Sequence, residues 1–430
     1  MRFHSLSDWL RWQESLHPRE IELGLDRVRT VAARLDLLQP ACPVIIVGGT
    51  NGKGSTLAYL EAIYSGAGYR TGLYTSPHLI RYNERIRIGQ READDAGIMA
   101  AFEAIDRARG DISLTYFEFA TLAALWLCRQ AAVDVMLLEV GLGGRLDAVN
   151  ILDADVAIVT SIGLDHMDWL GGTRELIARE KAGIFRAGRP AICGESDPPA
   201  DLAAVARECG AHWYALNQTF GHRRGRDEHW DWWSLQREWS QLPQPSLGAG
   251  VQLDNAAAAL MAIDCLQPRL PLECAAITAG LGAARLPGRC QSLEQEGVEL
   301  VLDVAHNPQA AGALADWLAA RPAPGRTRAV YAGLADKDVR SVTAPLLPAV
   351  DCWYVGSLSG TRARHADSVL PVLAQAGAEA TAFGDVASAL QAARADSRPG
   401  DRILVFGSFL TVGEALQIVG KPASVQDALH

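Results

Sequence analysis

The segment from residue 44 to residue 60 constrains the fold of this chain more than any other part. An apolar, β-branched run at 44–47 is followed by GGTNGKGS at 48–55 and then by the helix-forming residues LAYL at 57–60. A strand that ends in glycines, a lysine and a hydroxyl before a helix presents backbone N–H groups and a cation to phosphate oxygens. We therefore interpret the segment as a phosphate loop for ATP or GTP, in which Lys53 contacts the outer phosphates and Ser55 contacts Mg²⁺.

The loop departs from the common spacing G-x-x-x-x-G-K-[ST]. Val47 occupies the first glycine position, and Gly54 separates Lys53 from Ser55. The alternative interpretation is a glycine-rich turn with an incidental lysine. The strand-loop-helix context favours the phosphate loop.

Length and hydropathy indicate a globular protein with two domains. The chain has 430 residues, of which 49% are hydrophobic, and this length exceeds that of one average domain. It contains no run of about eighteen apolar residues, and residues 1–20 are charged and lack an apolar signal core. We expect neither a membrane span nor secretion, and therefore a cytoplasmic protein.

Charge and cysteine spacing argue against further classes of protein. The formal net charge of −10 opposes nonspecific binding to nucleic acid, so we expect no nucleic-acid partner and only local recognition of phosphate. The eight cysteines are scattered without a C-x-x-C pair. This spacing argues against a zinc ribbon or a disulfide framework and fits reduced thiols.

Apolar runs separated by helical patterns predict an α/β fold. Runs typical of buried parallel strands lie at 44–48, 134–140, 155–160, 298–304, 327–333, 351–356 and 402–407. Helices are further predicted from Leu23 to Leu38, from Leu253 to Leu266 and from there to Gly280. LPGR at 286–289 breaks the pattern. The prediction is a P-loop-type parallel sheet in an N-terminal domain, residues 1–285, and a smaller Rossmann-like α/β domain, residues 286–430.

A segment rich in tryptophan interrupts this alternation at 217–247. It also contains glycine, arginine and histidine, and it ends in Pro243 and Pro245. The alternation of Trp230 and Trp232 predicts irregular or antiparallel edge strands. In an acidic protein, packed tryptophans are a better interpretation than a surface that stacks on nucleic-acid bases. No motif in this segment indicates its role.

Polar side chains follow several predicted elements of the first domain. Glu139 ends an apolar strand at the sheet edge where α/β proteins bind ligands, and it is a candidate Mg²⁺ ligand unless a partner such as Arg145 neutralises it. His166 follows the next strand and either joins the metal site or is an ordinary hydrogen-bonded histidine, because Mg²⁺ prefers oxygen donors. Lys181 ends a helix that begins near Thr173, a position where lysines are usually structural.

The second domain has a polar turn after its first predicted strand. Asp303 is placed to accept hydrogen bonds from ribose hydroxyls, while His306 and Asn307 precede Pro308 at a helix N-terminus that can face an anion. Asn307 is equally well interpreted as a simple helix cap. Similar strand-to-helix turns occur at 334–338 and 406–410.

Taken together, nine ordered motifs resemble those of the folylpolyglutamate synthase/dihydrofolate synthase family, relatives of the Mur ligases. They are GGTNGKGS at 48–55, TSPHLIRYNERI at 75–86, LTYFEFATLAAL at 114–125, LEVGLGGRLDAVN at 138–150, TSIGLDHMDWLG at 160–171, AREKAGIFR at 178–186, LPGR at 286–289, DVAHNPQAA at 303–311 and VFGSFLTV at 405–412. The LTYFEF segment is most similar to the bifunctional bacterial type. Small departures occur at Val149, where threonine is frequent, and at Gly48, where alanine is frequent.

The resemblance implies an ATP-dependent ligase that adds L-glutamate to dihydropteroate and to tetrahydrofolate derivatives through an acyl phosphate. It assigns ATP binding to Thr50, Asn51, Gly52, Lys53, Gly54, Ser55, Asn255, Arg289 and Asp303. It assigns two Mg²⁺ sites to Ser55, Ser76, Glu139, His166 and Lys181, and catalysis to Lys53, Lys181 and His306. It assigns substrate binding to Arg81, Thr115, Phe117, Asp147, Ala148 and Asn307, with Phe117 stacked on the pterin and Asp147 accepting its N–H groups.

Lys181 matches a family lysine that is carbamylated, which requires burial and a nearby metal to lower its pKa. Alternatives to this function are a monofunctional folylpolyglutamate synthase, another Mur-type amide ligase, or a regulatory protein that only senses or hydrolyses ATP. We expect a monomer, because opening and closing of two domains needs no partner subunit.

Overall fold

The computed structural model describes residues 2–19, 21–225, 229–248 and 250–420, and the chain forms two units. The first comprises Met1–His78, Tyr82–Ser246 and Val251–Arg285, and the second comprises Leu79–Arg81, Leu247–Gly250 and Leu286–His430. The main division lies between Arg285 and Leu286. The ATP-binding and glutamate-ligase roles of the two parts stay predictions. Within the described ranges, no helix is long and apolar enough to cross a membrane.

The first unit is built on an eight-stranded sheet with the order β4-β3-β2-β5-β1-β6-β7-β8. Its strands are β1 (Val44–Gly48), β2 (Thr71–Tyr74), β3 (Ile86–Ile88), β4 (Arg91–Glu92), β5 (Val135–Glu139), β6 (Val156–Val159), β7 (Pro190–Cys193) and β8 (His212–Ala215). The pairs from β2 to β8 are parallel, and β3 and β4 add an antiparallel edge. Every residue of β1, β5 and β6 is buried, as expected for parallel strands covered by helices on both faces.

Helices cover this sheet and provide the first turns of the candidate site. They are α1 (Leu6–Leu16), α2 (Asp26–Arg34), α3 (Lys53–Gly66), α4 (Asp95–Arg109), α5 (Tyr116–Gln130), α6 (Met167–Leu170), α7 (Arg174–Ala182), α8 (Ala200–Cys209), α9 (Gln252–Leu266) and α10 (Cys274–Ala283). Short 3-10 turns span Tyr82–Arg85 and Ala148–Ile151. The predicted helix at 23–38 is shorter in the structure, because Asp36 adopts a left-handed φ of 53° just after its end. The helix predicted to reach Gly280 continues to Ala283.

The tryptophan-rich segment forms a separate sheet of three antiparallel strands. These strands are β9 (Phe220–Arg224), β10 (His229–Ser234) and β11 (Glu238–Pro243), in the order β11-β10-β9. The prediction of antiparallel strands is therefore confirmed, but they are not edge strands of the larger sheet. Trp230 and Trp232 are fully buried, which supports packing rather than base stacking as their role.

The second unit is a six-stranded sheet with helices, in the strand order β12-β13-β17-β14-β15-β16. Its strands are β12 (Gln291–Gln295), β13 (Val298–Leu302), β14 (Thr327–Tyr331), β15 (Cys352–Gly356), β16 (Ala380–Phe383) and β17 (Arg402–Phe406). Its helices are α11 (Pro308–Ala319), α12 (Val339–Thr343), α13 (Leu370–Gln375), α14 (Val386–Ala395) and α15 (Phe409–Val419), with 3-10 turns at Ala344–Ala349 and Ala366–Ser368. All pairs are parallel except that of β12 with β13. The α/β class predicted for both parts is confirmed.

The register of the large sheet aligns the carboxyl ends of its central strands. Val47 pairs with Glu139 across β1 and β5, and Gly48 pairs with Val159 across β1 and β6. The loops that leave these three strands therefore begin at one edge. In open α/β sheets this edge is where ligands bind.

Candidate active site

The loop at 48–55 joins the end of β1 to the start of α3. The residues that follow β6 hold it: the Thr50 N–H donates to the Ser161 carbonyl at 2.8 Å, and the Asn51 N–H donates to Ser161 Oγ at 2.9 Å. In return, the Thr160 hydroxyl donates to the Asn51 carbonyl at 2.6 Å. The loop is thus braced by the neighbouring strand end.

The first turn of α3 is suited to an anion. Its N-cap, Gly52, has no side chain to cap the helix, and the first turn carries no acidic residue. The first N–H groups of a helix have no partner within the helix, and the helix dipole adds positive potential there. This end of α3 can therefore bind phosphate oxygens, as the sequence predicts for the loop.

Two amide side chains from α9 pack on this loop. Gly52 has a φ of 89°, and a Cβ added to it would lie 2.3 Å from Asn255 Oδ1. Asn255 Nδ2 donates to Gln252 Oε1 at 3.1 Å, and Gln252 Nε2 donates to Ser55 Oγ at 3.4 Å. The structure thus brings Asn255 to Gly52 and links it to Ser55 through Gln252, which sequence reasoning did not identify.

Two lysines converge on the carbonyl oxygen of Gly49. Lys53 Nζ donates to it at 3.1 Å and also to the Thr50 carbonyl at 3.3 Å. Lys181 Nζ donates to the Gly49 carbonyl at 2.9 Å, and its residue is only 5% exposed. Burial, and then the positive charge of Lys53, lower the pKa of Lys181 to about 7. Lys181 is therefore not a solvated cation at a helix end, and near neutral pH much of it is an uncharged amine.

Glu139, the last residue of β5, is a buried carboxylate at the same sheet edge as the loop. Its Oε2 accepts the Ser76 N–H at 3.2 Å. Arg145, the alternative partner considered for Glu139, forms its ion pair with Glu180 at 2.8 Å. A buried carboxylate at the same sheet edge as a phosphate loop matches the oxygen donors that Mg²⁺ prefers.

Another predicted metal ligand lies in a different environment. His166 is exposed and adopts a left-handed φ of 51° at the N-cap of α6, where its N–H donates to Asp165 Oδ1 at 2.9 Å. In the described part of the chain, no group of three or more His, Cys, Asp or Glu side chains is arranged to hold a metal ion.

The predicted pterin residues surround the loop after β5. The Phe117 ring packs against Tyr74 with centroids 5.8 Å apart, and a Cβ added to Gly141 would lie 2.5 Å from the Phe117 ring. Thr115 caps α5 through a reciprocal capping box with Glu118. Phe117 is thereby fixed in the first turn of α5, directly above the 141 loop.

Asp147 and Ala148 shape the end of that loop. Asp147 accepts the Leu142 N–H at 2.8 Å and the Val149 N–H at 3.1 Å, while burial raises its pKa to about 6. The charge of Lys53 acts against that rise. Ala148 is buried in the following 3-10 turn. Arg81, the remaining residue predicted to bind the pterin, belongs to the second unit, unlike the others.

In the second unit, Asp303 follows β13 and is a hydrogen-bond acceptor inside a tight loop. It accepts the Cys290 N–H and the Ala305 N–H, both at 2.8 Å, and lies 3.4 Å from the Cys290 thiol. Burial raises the pKa of Asp303, and the guanidinium of Arg289 opposes this rise. Asp303 and Arg289, which the family resemblance pairs at the nucleotide, are therefore electrostatic neighbours.

His306 and Asn307 are held by the start of α11. Asn307 Oδ1 accepts the Ala310 N–H at 3.0 Å, which confirms the helix-cap interpretation. His306 Nδ1 lies 2.9 Å from the Val304 carbonyl, to which it donates. Phe409, at the start of α15, lies 5.3 Å from the Arg289 guanidinium and 6.2 Å from the His306 ring. Sequence reasoning noted the 406–410 turn but did not single out Phe409.

Two family models match this chain. The Mur ligase middle domain matches residues 47–262, and the Mur ligase glutamate ligase domain matches residues 288–409. A curated relative, the dihydrofolate synthase/folylpolyglutamate synthase of Escherichia coli strain K12, is 47% identical over 423 residues, which cover 96% of this chain and 95% of the relative.

Solved structures are similar over nearly the whole chain. E. coli FolC in complex with DHPP and ADP has a TM-score of 0.92 at 46% identity and covers 97% of this chain and 98% of its own. A bifunctional folylpolyglutamate synthase/dihydrofolate synthase with Mn, AMPPNP and L-glutamate bound has a TM-score of 0.90 at 47% identity, with the same coverage. At 46–47% identity over 97% of this chain, the similarity includes the sequence as well as the fold.

Proposed function

The chain belongs to the dihydrofolate synthase/folylpolyglutamate synthase family, and from this premise we infer that it is an ATP-dependent ligase of L-glutamate. Its acceptors are dihydropteroate, which gives dihydrofolate, and tetrahydrofolate derivatives, which give polyglutamates. The reaction uses a nucleotide and a divalent metal. The observation that carries this function is the convergence of Lys53 and Lys181 on the Gly49 carbonyl at an anion-binding helix N-terminus.

The reaction has two steps. A carboxylate oxygen of the acceptor attacks the γ-phosphorus of ATP, and the bond to the leaving ADP breaks as the acyl phosphate forms. The amino group of L-glutamate then attacks the acyl carbon and loses a proton, and inorganic phosphate leaves as the amide forms. In both steps negative charge develops on the reacting oxygens. Cations and N–H groups held in place stabilise this charge.

We propose that the phosphate loop supplies that stabilisation in the first unit. The N–H groups at 52–55 bind phosphate oxygens, and Lys53 leaves the Gly49 carbonyl to contact the β- and γ-phosphates. Asn255 contacts the nucleotide next to Gly52. The bracing of the loop by Ser161 and Thr160 supports this role, because preorganised donors need little rearrangement when charge develops.

Two Mg²⁺ sites are assigned to Ser55, Ser76, Glu139, His166 and Lys181. A bound Mg²⁺ supplies charge neutralisation at the phosphates. The buried Glu139 carboxylate supports this assignment. Lys181 contributes as a carbamate: its uncharged amine adds CO₂, loses a proton and becomes an anionic oxygen donor. The low pKa of Lys181 supports the proposal, because only the uncharged amine reacts with CO₂.

We further propose that the pterin stacks on Phe117 and donates N–H groups to Asp147, with Thr115, Ala148 and Arg81 as further contacts. The carboxylate oxygens of Asp147 accept backbone N–H groups of the loop, that of Leu142 on Oδ2 and that of Val149 on Oδ1. A carboxylate oxygen can accept a second hydrogen bond. Asp147 can thus hold the loop and a ligand at the same time.

In the second unit, we propose that Asp303 accepts ribose hydroxyls and that Arg289 contacts the nucleotide. His306 and Asn307 bind the incoming glutamate. The hydrogen bond from Nδ1 to the Val304 carbonyl orients the His306 ring and supports a further role, acceptance of the proton that the glutamate amino group loses. We also propose that the protein acts as a monomer in the cytoplasm, with small-molecule substrates and no nucleic-acid partner.

The test is ADP release by the purified protein with MgATP and L-glutamate, supplied with dihydropteroate in one reaction and tetrahydrofolate in another. We expect turnover with both acceptors. Turnover with tetrahydrofolate alone would reduce the function to a folylpolyglutamate synthase, and ADP release that ignores both acceptors would contradict ligation of folates. Omission of glutamate is the control, since an acyl phosphate formed without it cannot yield the amide.

A further inference from the structure

The three-stranded sheet of β9, β10 and β11 packs on α9 and is bonded to both ends of that helix. Near the start of α9, His222 Nε2 lies 2.8 Å from Asp254 Oδ1. Near its end, Arg237 Nε donates to Asp264 Oδ1 at 2.8 Å, and the Ser234 hydroxyl donates to Asp264 Oδ2 at 2.9 Å. Between them, Trp232 Nε1 donates to the Ala257 carbonyl at 3.1 Å. The sheet therefore fixes α9 along its length.

The start of α9 is the end that contacts the phosphate loop. Gln252 reaches Ser55, and Asn255 packs on Gly52, within one turn of Asp254. The N-cap residue of α9, Val251, forms no capping hydrogen bond through its side chain. The segment before it, Leu247–Gly250, belongs to the other unit. An uncapped first turn frays readily, so the bond from His222 to Asp254 is an anchor where the helix lacks its usual one.

His222 is itself held in place. Its Cα pairs with that of Trp232 on β10, and its ring meets Trp230 edge to face at 6.1 Å. Trp232 stacks on Trp239 with ring centroids 4.5 Å apart. Because Trp230 and Trp232 are fully buried, the ring of His222 rests on a packed aromatic layer. This layer accounts for the tryptophan-rich composition that the sequence left without a role.

We propose that His222 is a positioning residue for nucleotide binding, acting through Asp254. It holds the first turn of α9 so that Asn255 stays on Gly52 and Gln252 stays on Ser55, without touching the nucleotide itself. The proposal rests on the proposed function of the loop as the ATP site. A merely structural role for the sheet makes a different prediction, since loss of the His222 bond would then lower stability without raising the KM for ATP alone.

The matched pair of variants is His222→Ala and Arg237→Ala, which remove one bond each between the same sheet and the same helix. ADP release is measured with ATP varied at saturating dihydropteroate and glutamate, and then with dihydropteroate varied. For His222→Ala we expect the KM for ATP to rise about fivefold or more, with the KM for dihydropteroate unchanged. Arg237→Ala should leave both KM values unchanged. His222→Gln should restore ATP binding, because its amide Nε2 can donate to Asp254.

Equal KM values for ATP in His222→Ala and Arg237→Ala would overturn the proposal. If His222→Ala does not fold, Asp254→Ala tests the same bond from the helix side, with Asp264→Ala as its control. Calorimetric titration with MgADP separates the proposal from the function it rests on. A wild-type chain that binds MgADP without ligating would refute the proposed ligase, while the affinity ratio of the variants would still decide the role of His222. A wild-type chain that does not bind MgADP would refute both.

Discussion

Lys53 and Lys181 donate from their Nζ atoms to one acceptor, the carbonyl oxygen of Gly49, at 3.1 and 2.9 Å. One carbonyl oxygen cannot offset the charge of two ammonium groups. The more buried of the two lysines therefore loses its proton first as the pH rises. Burial and the charge of Lys53 together lower the pKa of Lys181 to about 7. The loop thus holds one cation for phosphate and one amine whose ionisation is set by its surroundings.

Activity should depend on dissolved CO₂ through Lys181. Protein freed of CO₂ and assayed at pH 8 should lose activity and regain it with bicarbonate, because the amine is largely uncharged above pH 7. The rescue should be weaker at pH 6, where the amine is protonated. Isotope-labelled bicarbonate followed by carbon NMR should reveal a carbamate resonance.

The control for this experiment is Lys181→Arg, whose guanidinium stays charged and cannot be carbamylated. We expect its turnover to fall about a hundredfold or more, without rescue by bicarbonate. Wild-type activity that is indifferent to CO₂ removal would exclude carbamylation as a requirement.

Stability should depend on the ionisation of Asp147. Burial raises its pKa from 3.8 to about 6, so between these values the folded state binds more protons than the unfolded state. This contribution to the free energy of unfolding is therefore full below about pH 4 and is lost as the pH rises through 6. Relative to wild type, Asp147→Asn should gain about 2–3 kcal/mol between pH 4 and pH 6.5, as measured by urea unfolding. A difference that does not change with pH would contradict this.

Gly52→Ala should weaken ATP binding. A side chain at a φ of 89° is strained by about 1–2 kcal/mol, and the new Cβ would lie 2.3 Å from Asn255 Oδ1. We expect the KM for ATP to rise about tenfold or more in the ADP-release assay. The control is Gly66→Ala at the other end of α3, where an added Cβ meets no described atom within 4 Å. An unchanged KM for ATP in Gly52→Ala would contradict a role for Asn255 in nucleotide binding.

Gly141→Ala should affect the other substrate. Its Cβ would lie 2.5 Å from the Phe117 ring and would displace it. Because aromatic stacking contributes about 1 kcal/mol, the KM for dihydropteroate should rise about fivefold while that for ATP stays the same. Gly172→Ala, with no atom of the described chain within 4 Å of its Cβ, is the matched control. A rise confined to the KM for ATP would contradict the role of Phe117 in binding the pterin.

Phe409→Leu should impair turnover through its two neighbours. The ring lies 5.3 Å from the Arg289 guanidinium and 6.2 Å from the His306 ring, and leucine keeps the apolar volume without the aromatic face. We expect kcat/KM for ATP to fall about threefold to tenfold. Phe383→Leu replaces another partly buried phenylalanine of the second unit, stacked on Tyr354, and should leave kcat/KM unchanged. Equal losses in the two variants would indicate general destabilisation.

Sequence patterns predicted the strands that are buried on both faces. β1 is a continuous apolar run, and β17 is one after its first residue, Arg402, because helices cover both strands and their buried positions favour apolar side chains. Two shorter strands, β7 with its leading Pro190 and β16 with the sequence ATAF, lack such a run. Their strand conformation follows from pairing with neighbours that are distant in sequence, which local pattern does not encode.

The same distinction applies to the site. The caps formed by Thr115 and Asn307 have local signals, T-x-x-E at 115–118 and Asn before Pro308. The bond from Gln252 to Ser55 joins residues 197 positions apart. No local sequence pattern near either residue predicts it. The bond between His222 and Asp254 likewise depends on the packing of a sheet on a helix. Capping could thus be predicted from sequence, whereas the bracing of the phosphate loop required the structure.

The chain changes units more often than the single division at Arg285 suggests. Leu79–Arg81 and Leu247–Gly250 belong to the second unit, and a Cβ on Gly413 would lie 2.2 Å from the Leu79 carbonyl. A proteolytic cut after Arg285 would therefore leave these two short segments of the second unit on the N-terminal fragment. We therefore expect neither fragment to fold by itself. A chimaera that takes the second unit from a relative would have to take the segments Leu79–Arg81 and Leu247–Gly250 from that relative as well.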